Sequence, residues 1–216
     1  MTQIRDISVV TTTSASVMST GPAGLLLGRG PGGPVAVRLF RPDPTRAFLS
    51  APEWVKWLLA FRAVCLGAHV SVIGGDHRPW LGLADTIRAC GGTIDLLRTP
   101  DELPGQGRVY RPSLIVDEQG AVTPQMRLGA WQALVTVGSP GVEASVSDMR
   151  NSDMSIIVPV EGRTTDNLRR AYALSAAQMK QASTLGDSDV LCASVRRLVR
   201  VSMPPSPTEY RVLFGS

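Results

Sequence analysis

The stretch from His69 to Leu97, HVSVIGGDHRPWLGLADTIRACGGTIDLL, decides the fold. It opens with a short β-branched segment, HVSVI, which predicts a strand. A helical pattern follows from Pro79 to Cys90 and stops at Gly91-Gly92, and the segment TIDLL then predicts a second strand. Strand, helix and strand in this order are typical of a βαβ unit, in which two parallel strands are joined by a right-handed crossover.

The segment before this unit, from Pro52 to Gly67, has the features of a helix. Pro52 suits a first helical turn, and Gly67 is a natural stop. Large side chains recur along the segment at helical spacing: Trp54, Trp57, Leu58, Phe61 and Cys65. We therefore expect this helix to bury Leu58, Phe61 and Cys65 against the sheet.

Further apolar runs predict more strands. A hairpin is expected in GLLLGRGPGGPVAVRLF, residues 24–40, because two apolar runs flank a Gly/Pro turn. Other strands are predicted at 113–116, 133–137 and 155–160, and a final one at Tyr210–Phe214. A helix is expected from Thr165 or Asp166 to about Ala182, and residues 190–203 fit either a long strand or a short helix.

These elements predict an α/β fold, Rossmann-like, with a mixed, mostly parallel sheet and flanking helices. Residues 1–20 are expected to form a flexible arm or an edge strand. Residues 21–216 are expected to form one α/β domain, since about 200 residues suffice for a sizeable core.

Composition limits the classes of function. The chain has 216 residues and a formal net charge of +4, with 22 basic and 18 acidic residues. The basic residues are scattered, so we expect no nucleic-acid partner. The three cysteines lie far apart and form no metal-ligand motif, which favours reduced thiols in the cytoplasm. No signal peptide or transmembrane segment is recognisable, and we expect the protein to be soluble when expressed alone.

Two glycine-rich stretches suggest ligand binding. The first, Gly28–Gly33, lacks the Lys-Ser/Thr and the helix that a phosphate-binding loop needs, so a hairpin turn is favoured there. The second follows the strand HVSVI, at the place where doubly wound folds bind nucleotides. Its candidate ligand-binding residues are Gly74, Gly75, Asp76, His77 and Arg78. A tight strand-to-helix connection with solvated side chains explains these residues as well, because the GxGxxG fingerprint is missing.

The remaining chemical groups form no catalytic constellation. His69 and His77 belong to no metal-ligand motif, and no GxSxG elbow is present. Asp117-Glu118 follows a predicted strand, as catalytic acids often do, but a strand-ending turn explains the pair equally well. We therefore predict no catalytic residue, metal or cofactor, and expect partner binding rather than turnover. Trp80 is a candidate partner-binding anchor, although a packing role is favoured.

Several stretches resemble the cytoplasmic domain of EccE, a component of type VII (ESX) secretion systems: GLLLGRGPGGPVAVRLFRPDPTR, WVKWLLAFRAVCLGAHVSV, RPWLGLADTIRACGG and PPSPTEYRVLF. The resemblance implies a non-catalytic, membrane-associated subunit that binds other secretion-complex proteins at the cytoplasmic face of the inner membrane. EccE proteins usually begin with transmembrane helices, and this sequence shows none. The second hypothesis is a Rossmann-like enzyme or nucleotide-binding protein that uses the loop Gly74–Arg78.

Overall fold

The computed structural model describes residues 24–158, 162–180, 182 and 185–215. The arm or edge strand predicted at 1–20 lies outside these residues. The strands are β1 (Leu25–Gly30), β2 (Gly33–Val37), β3 (Thr45–Ser50), β4 (His69–Ile73), β5 (Thr93–Leu97), β6 (Ser113–Asp117), β7 (Gln132–Val137), β8 (Met154–Ile157), β9 (Asp189–Ser194) and β10 (Arg197–Ser202). The helices are α1 (Glu53–Cys65), α2 (Arg78–Ala89), α3 (Ser145–Arg150), α4 (Arg163–Tyr172), α5 (Ala176–Lys180) and α6 (Pro207–Phe214).

The ten strands form one sheet in the order β2-β1-β10-β9-β8-β3-β7-β6-β4-β5. The six strands from β8 to β5 are parallel to their neighbours, and β2, β1, β10 and β9 extend the sheet with antiparallel pairs. The predicted βαβ unit is confirmed, because β4 and β5 pair in parallel and α2 joins them. The predicted fold class, a mixed and mostly parallel sheet with flanking helices, is confirmed as well.

Helices and loops cover both faces of the sheet. Alternate residues of a strand point to opposite faces, so Val70 and Val72 of β4 join the larger core under α1 and α2. Ile73 joins a smaller cluster on the other face, beneath the loop that follows β6. On that same face Phe48 packs with residues of α3, α4 and α5. Such two-sided burial explains why the parallel strands are almost continuously apolar.

The face that α1 buries differs from the predicted one. Leu58 is buried as expected, but Phe61 is only partly buried and Cys65 is exposed. The fully buried positions of the helix include Val55 and Ala63 instead. The apolar pattern predicted the wrong face because α1 packs against α6 as well as against the sheet. Trp57 of α1 contacts Phe214 of α6, with ring centroids 6.1 Å apart.

Two predictions for the second half of the chain are corrected. The segment Tyr210–Phe214, predicted as a strand, belongs to α6, whose first turn is fixed by a reciprocal capping box between Ser206 and Glu209. The helix predicted up to Ala182 is interrupted, since Ala173 adopts a left-handed conformation between α4 and α5. Residues 190–203, left open between a strand and a helix, form the antiparallel hairpin of β9 and β10.

The glycine-rich stretch 28–33 is a hairpin turn between β1 and β2, as predicted. Gly28 is required there because a Cβ at this position would lie 2.0 Å from the carbonyl oxygen of Ser202 in the neighbouring β10. No helix in the described part of the chain is both long and apolar enough to cross a bilayer.

Candidate functional site

The carboxyl ends of the parallel strands meet at one edge of the sheet, where open α/β folds bind their ligands. The chain leaves β3 through α1 toward β4, whereas β7 continues through α3 to β8, on the other side of β3. The direction of the connections thus changes at β3. The polar groups beyond the strand ends at this edge form the candidate site, and its parts come from the connections after β3, β4 and β6.

The connection after β4 is the loop Gly74–His77, which carries the ligand-binding residues predicted from the sequence. Gly74 is buried, Gly75 and Asp76 are exposed, and His77 is half-buried with its Nε2 atom 2.9 Å from the carbonyl oxygen of Leu97. The loop lies over the turn after β6. A Cβ at Gly75 would be 3.0 Å from the side-chain nitrogen of Gln119, whereas a Cβ at Gly74 would make an ordinary contact, at 3.4 Å, with a carboxylate oxygen of Glu118.

Asp76 and Arg78 form an ion pair at the outer rim of this loop. The Arg78 Nη2 atom lies 2.7 Å from Asp76 Oδ2, Arg78 Nε donates to both carboxylate oxygens at 3.0 Å, and the Arg78 backbone N–H donates to Asp76 Oδ1. The hydrogen bonds from the Arg78 side chain, then that from its backbone, lower the pKa of Asp76 to about 2. The same pair raises the pKa of Arg78. Both groups therefore stay charged at neutral pH and face solvent.

The two acidic residues after β6, Asp117 and Glu118, make different contacts. Asp117 is fully buried and its carboxylate accepts three backbone N–H groups, from Gln119, Ala121 and Val122, at 3.0, 3.1 and 2.7 Å. Such an arrangement closes a turn. The interpretation of Asp117 as a strand-ending turn residue therefore describes its observed contacts, and the side chain has little acceptor capacity left for a ligand.

Glu118 points to the opposite face and is held by two other elements. Lys56, in the first turn of α1, places its Nζ atom 2.5 Å from Glu118 Oε1. The indole N–H of Trp80, in the first turn of α2, donates to Glu118 Oε2 at 3.1 Å. The ammonium also lies 6.0 Å from the centre of the Trp80 ring. Lys56, Glu118 and Trp80 thus tie α1, α2 and β6 together beneath the loop Gly74–His77.

The same contacts show where the side chain of Trp80 lies. The side chain is completely buried, and its indole N–H is used inside the protein. In this fold Trp80 has the contacts of a packing residue, the role that its sequence context favours. Trp54 and Trp57 of α1 are half-buried and pack against the core.

The connection after β3 is shorter than the loop after β4 and has no glycine. Only Ala51 and Pro52 separate β3 from α1, and the helix begins with Glu53 and has no side-chain cap. The carbonyl oxygens of Leu49 and Ser50 accept the N–H groups of Gly138 and Val158, which follow β7 and β8. A phosphate-binding loop needs several glycines and free N–H groups at the start of the helix. Pro52 has no N–H, neither residue is a glycine, and the carboxylate of Glu53 would repel a phosphate at the start of the helix.

A second polar crevice, of about 360 Å³, lies at the same edge between the segment after β7 and the start of α4. Arg163 and Arg170 line it, but Arg170 is 3.6 Å from Glu143, and Asn167 donates to the carbonyl oxygens of Pro140 and Val142. Acidic and basic side chains balance in this crevice. It is therefore less suited to an anionic ligand than its two arginines suggest.

Sequence analysis missed Lys56. The lysine lies 62 positions before Glu118 and within an apolar helix, so no local pattern connects the two residues. The available signal was composition, because Lys56 is one of only two lysines in the sequence. His69, the other histidine considered, begins β4 at the opposite edge and bonds Asp95 at 2.7 Å, far along the strand from the loop.

Comparison with solved structures identifies the fold. The structure of VirB4 from Thermoanaerobacter pseudethanolicus matches with a TM-score of 0.59 at 10% sequence identity, over 86% of this chain and 98% of that one. The genome-packaging NTPase B204 of Sulfolobus turreted icosahedral virus 2, solved with AMP, has a TM-score of 0.44 at 12% identity, over 75% and 98% of the two chains, which is too low to support any conclusion. No family model matches the sequence, and neither does any curated protein.

The likeness to VirB4 concerns the fold alone, an α/β arrangement with a mixed, mostly parallel sheet and flanking helices. The resemblance to EccE is therefore wrong, and with it the assignment to a type VII secretion system. The quoted stretches resembled EccE through apolar runs and turns, which any sheet covered by helices produces. Ten per cent identity supports the fold alone.

Proposed function

We propose that this chain is a nucleotide-binding domain with an ATPase-like fold, and that it holds its ligand at the loop Gly74–Arg78 without hydrolysing it. The observation that carries the proposal is the position of this loop. It stands at the carboxyl edge of an ATPase-like parallel sheet and exposes a glycine, a carboxylate and a guanidinium together.

The chemistry of the loop fits a phosphorylated nucleoside. The exposed Arg78 uses its Nε and Nη2 atoms on Asp76, and a guanidinium has five N–H donors, so further donors remain for phosphate oxygens. The Asp76 carboxylate can accept hydrogen bonds from ribose hydroxyls. Gly75 forms no hydrogen bond with any described residue and lets a ligand approach the backbone closely.

The same edge argues against turnover. Phosphoryl transfer depends on a loop that cradles the phosphates and on groups that neutralise the developing charge. The connection Ala51-Pro52 is too short to form such a loop, and Glu53 would repel a phosphate at the start of α1. Lys56, the nearest cation, is already paired with Glu118. Binding without hydrolysis is what these contacts support.

The proposal is tested by titrating the protein with ATP, ADP and AMP, by calorimetry, and by measuring phosphate release from ATP. Arg78→Ala should weaken binding of ATP about tenfold or more, since a hydrogen bond to a charged group contributes roughly 1.5–3 kcal/mol. Arg88→Ala is the control, because Arg88 lies in the last turn of the same helix, at the opposite edge of the sheet, and is also an exposed arginine that pairs with an aspartate.

We expect the control variant to bind as the native chain does, and phosphate release to stay at the rate of the buffer. Equal affinity of the Arg78→Ala and Arg88→Ala variants would refute the location of the site. Steady release of phosphate by the native chain above the rate of the buffer would refute binding without hydrolysis.

A further inference from the structure

P-loop ATPases hold a magnesium ion between a Ser/Thr of the phosphate loop and an aspartate that ends a neighbouring strand. The residues of this chain do not fit such an ion. The loop residue is missing, since only Ala51 and Pro52 follow β3. Asp117 ends β6 at the right place, but its carboxylate accepts three backbone N–H groups within its own turn. In the described residues no group of three His, Cys, Asp or Glu side chains is placed to hold a metal ion.

Glu118, the next carboxylate, is equally engaged, but by side chains. Its Oε1 atom accepts from the Lys56 ammonium at 2.5 Å and its Oε2 atom from the Trp80 indole at 3.1 Å. Both charged side chains are largely buried, with 11% of Lys56 and 17% of Glu118 exposed. The Lys56 ammonium also lies 3.9 Å from the carboxylate of Glu53. One lysine cation therefore lies between two carboxylates, in the kind of oxygen-rich position that a divalent cation prefers.

We propose that Lys56 is a built-in cation that replaces the divalent metal of this edge, so that the site binds its ligand without magnesium. A metal ion at Glu118 would stand within a few ångströms of the buried ammonium, where the repulsion of like charges is poorly screened. The chain thus supplies one positive charge permanently. The identity of the ligand rests on the proposed function, whereas the exclusion of the metal is a property of Lys56 and Glu118 themselves.

The exclusion of the metal is tested with Mn²⁺ as the probe, by electron paramagnetic resonance of the free ion at neutral pH and without nucleotide. We expect no saturable binding to the native chain. Lys56→Gln should free Glu118 and Glu53 and raise the affinity for Mn²⁺ at least tenfold, and the double variant K56Q/E118Q should lose this gain. Saturable binding to the native chain, or a folded Lys56→Gln variant without the gain, would overturn the proposal.

A second measurement uses the native chain alone and decides the question if Lys56→Gln fails to fold. The affinity for ATP is compared in excess EDTA and in excess Mg²⁺, and we expect the two values to agree within about twofold once the binding of Mg²⁺ to ATP itself is included. An affinity that falls tenfold in EDTA would overturn the proposal. If ATP binds in neither buffer, the proposed function fails, while the Mn²⁺ measurement on the native chain still decides the role of Lys56.

Discussion

Two strand-to-helix connections at the same edge of the sheet differ sharply. After β3, two residues, Ala51 and Pro52, lead into a helix that starts with Glu53. After β4, the four residues Gly74–His77 lead into α2, and they expose a glycine, a carboxylate and the guanidinium that follows. The connection after β3 forms no loop at this edge of the sheet, whereas the connection after β4 exposes polar groups to solvent there. The two connections thus differ in length and in the polar groups that they present at the edge of the sheet.

The comparison teaches that sheet topology and phosphate chemistry are separable. The parallel order of β8, β3, β7, β6 and β4 depends on buried apolar strands and on helices that cover them. It does not require free N–H groups after β3. In the turn after β6, the Asp117 carboxylate accepts backbone N–H groups and the Glu118 carboxylate pairs with Lys56. The charges of these two carboxylates are satisfied inside the protein.

The largest effect is expected at the centre of this internal network. Glu118→Gln keeps the shape but removes the charge that faces a largely buried ammonium. We expect the free energy of unfolding to fall by about 3 kcal/mol, the lower end of the range for breaking a buried ion pair. Chemical denaturation of both chains measures it.

The control for this change is Glu53→Gln, which removes a carboxylate 3.9 Å from the same ammonium but is 52% exposed. The expected loss is below about 0.5 kcal/mol, as for an exposed ion pair. If the two substitutions cost the same, the pair of Lys56 and Glu118 is not the connection between α1 and β6 that we describe.

A smaller loss is expected from Asp117→Asn. The amide keeps one oxygen acceptor, but its NH₂ group replaces the oxygen that accepts the N–H of Val122 at 2.7 Å. One buried donor is left unsatisfied, at a cost of roughly 1–3 kcal/mol. Asp76→Asn, at the exposed rim of the other connection, should leave the denaturation midpoint almost unchanged. Equal midpoints for the two variants would contradict the structural role of Asp117.

The smallest effect on stability is expected for the exposed ion pair of Asp76 and Arg78. Because the Arg78 side chain lowers the pKa of Asp76 to about 2, the carboxylate should stay ionised when Asp residues of an unfolded chain, near 3.9, are already protonated. Its contribution to stability is present above the unfolded value and is lost as the pH falls through about 2. Carbon-13 NMR of the carboxyl group follows this titration. Arg78→Ala should return the midpoint toward 3.8, and an unchanged midpoint would contradict the pairing.

The fold could be predicted from the sequence where a local pattern fits a single arrangement of secondary-structure elements. HVSVI, a helix ended by two glycines, and TIDLL could only be reconciled with a parallel βαβ unit. The segment Tyr210–Phe214 misled because its short apolar alternation suits a strand. The signal for a helix was present just before it, since Ser206 and Glu209 have the spacing of a capping box.

The site was readable only in part. The loop Gly74–Arg78 was found because glycines and charges follow a strand, which is a local feature. The acidic pair Asp117-Glu118 was noticed in the sequence. The different contacts of the two residues could not be predicted, because Glu118 bonds to α1 and α2, which come close to it only after folding. Lys56 lies on α1, 62 positions before Glu118, so its partner could not be inferred from spacing.

Amide chemical-shift mapping of a uniformly labelled sample with ATP tests the central claim most directly, because it reports on both connections at once. The account predicts that the amides of Gly74, Gly75, Asp76 and Arg78 shift with one saturating curve, whereas those of Ala51 and Glu53 stay in place. Saturating shifts at Ala51, Glu53 and Lys56, with an unmoved loop after β4, would contradict it, since the ligand would then occupy the connection after β3.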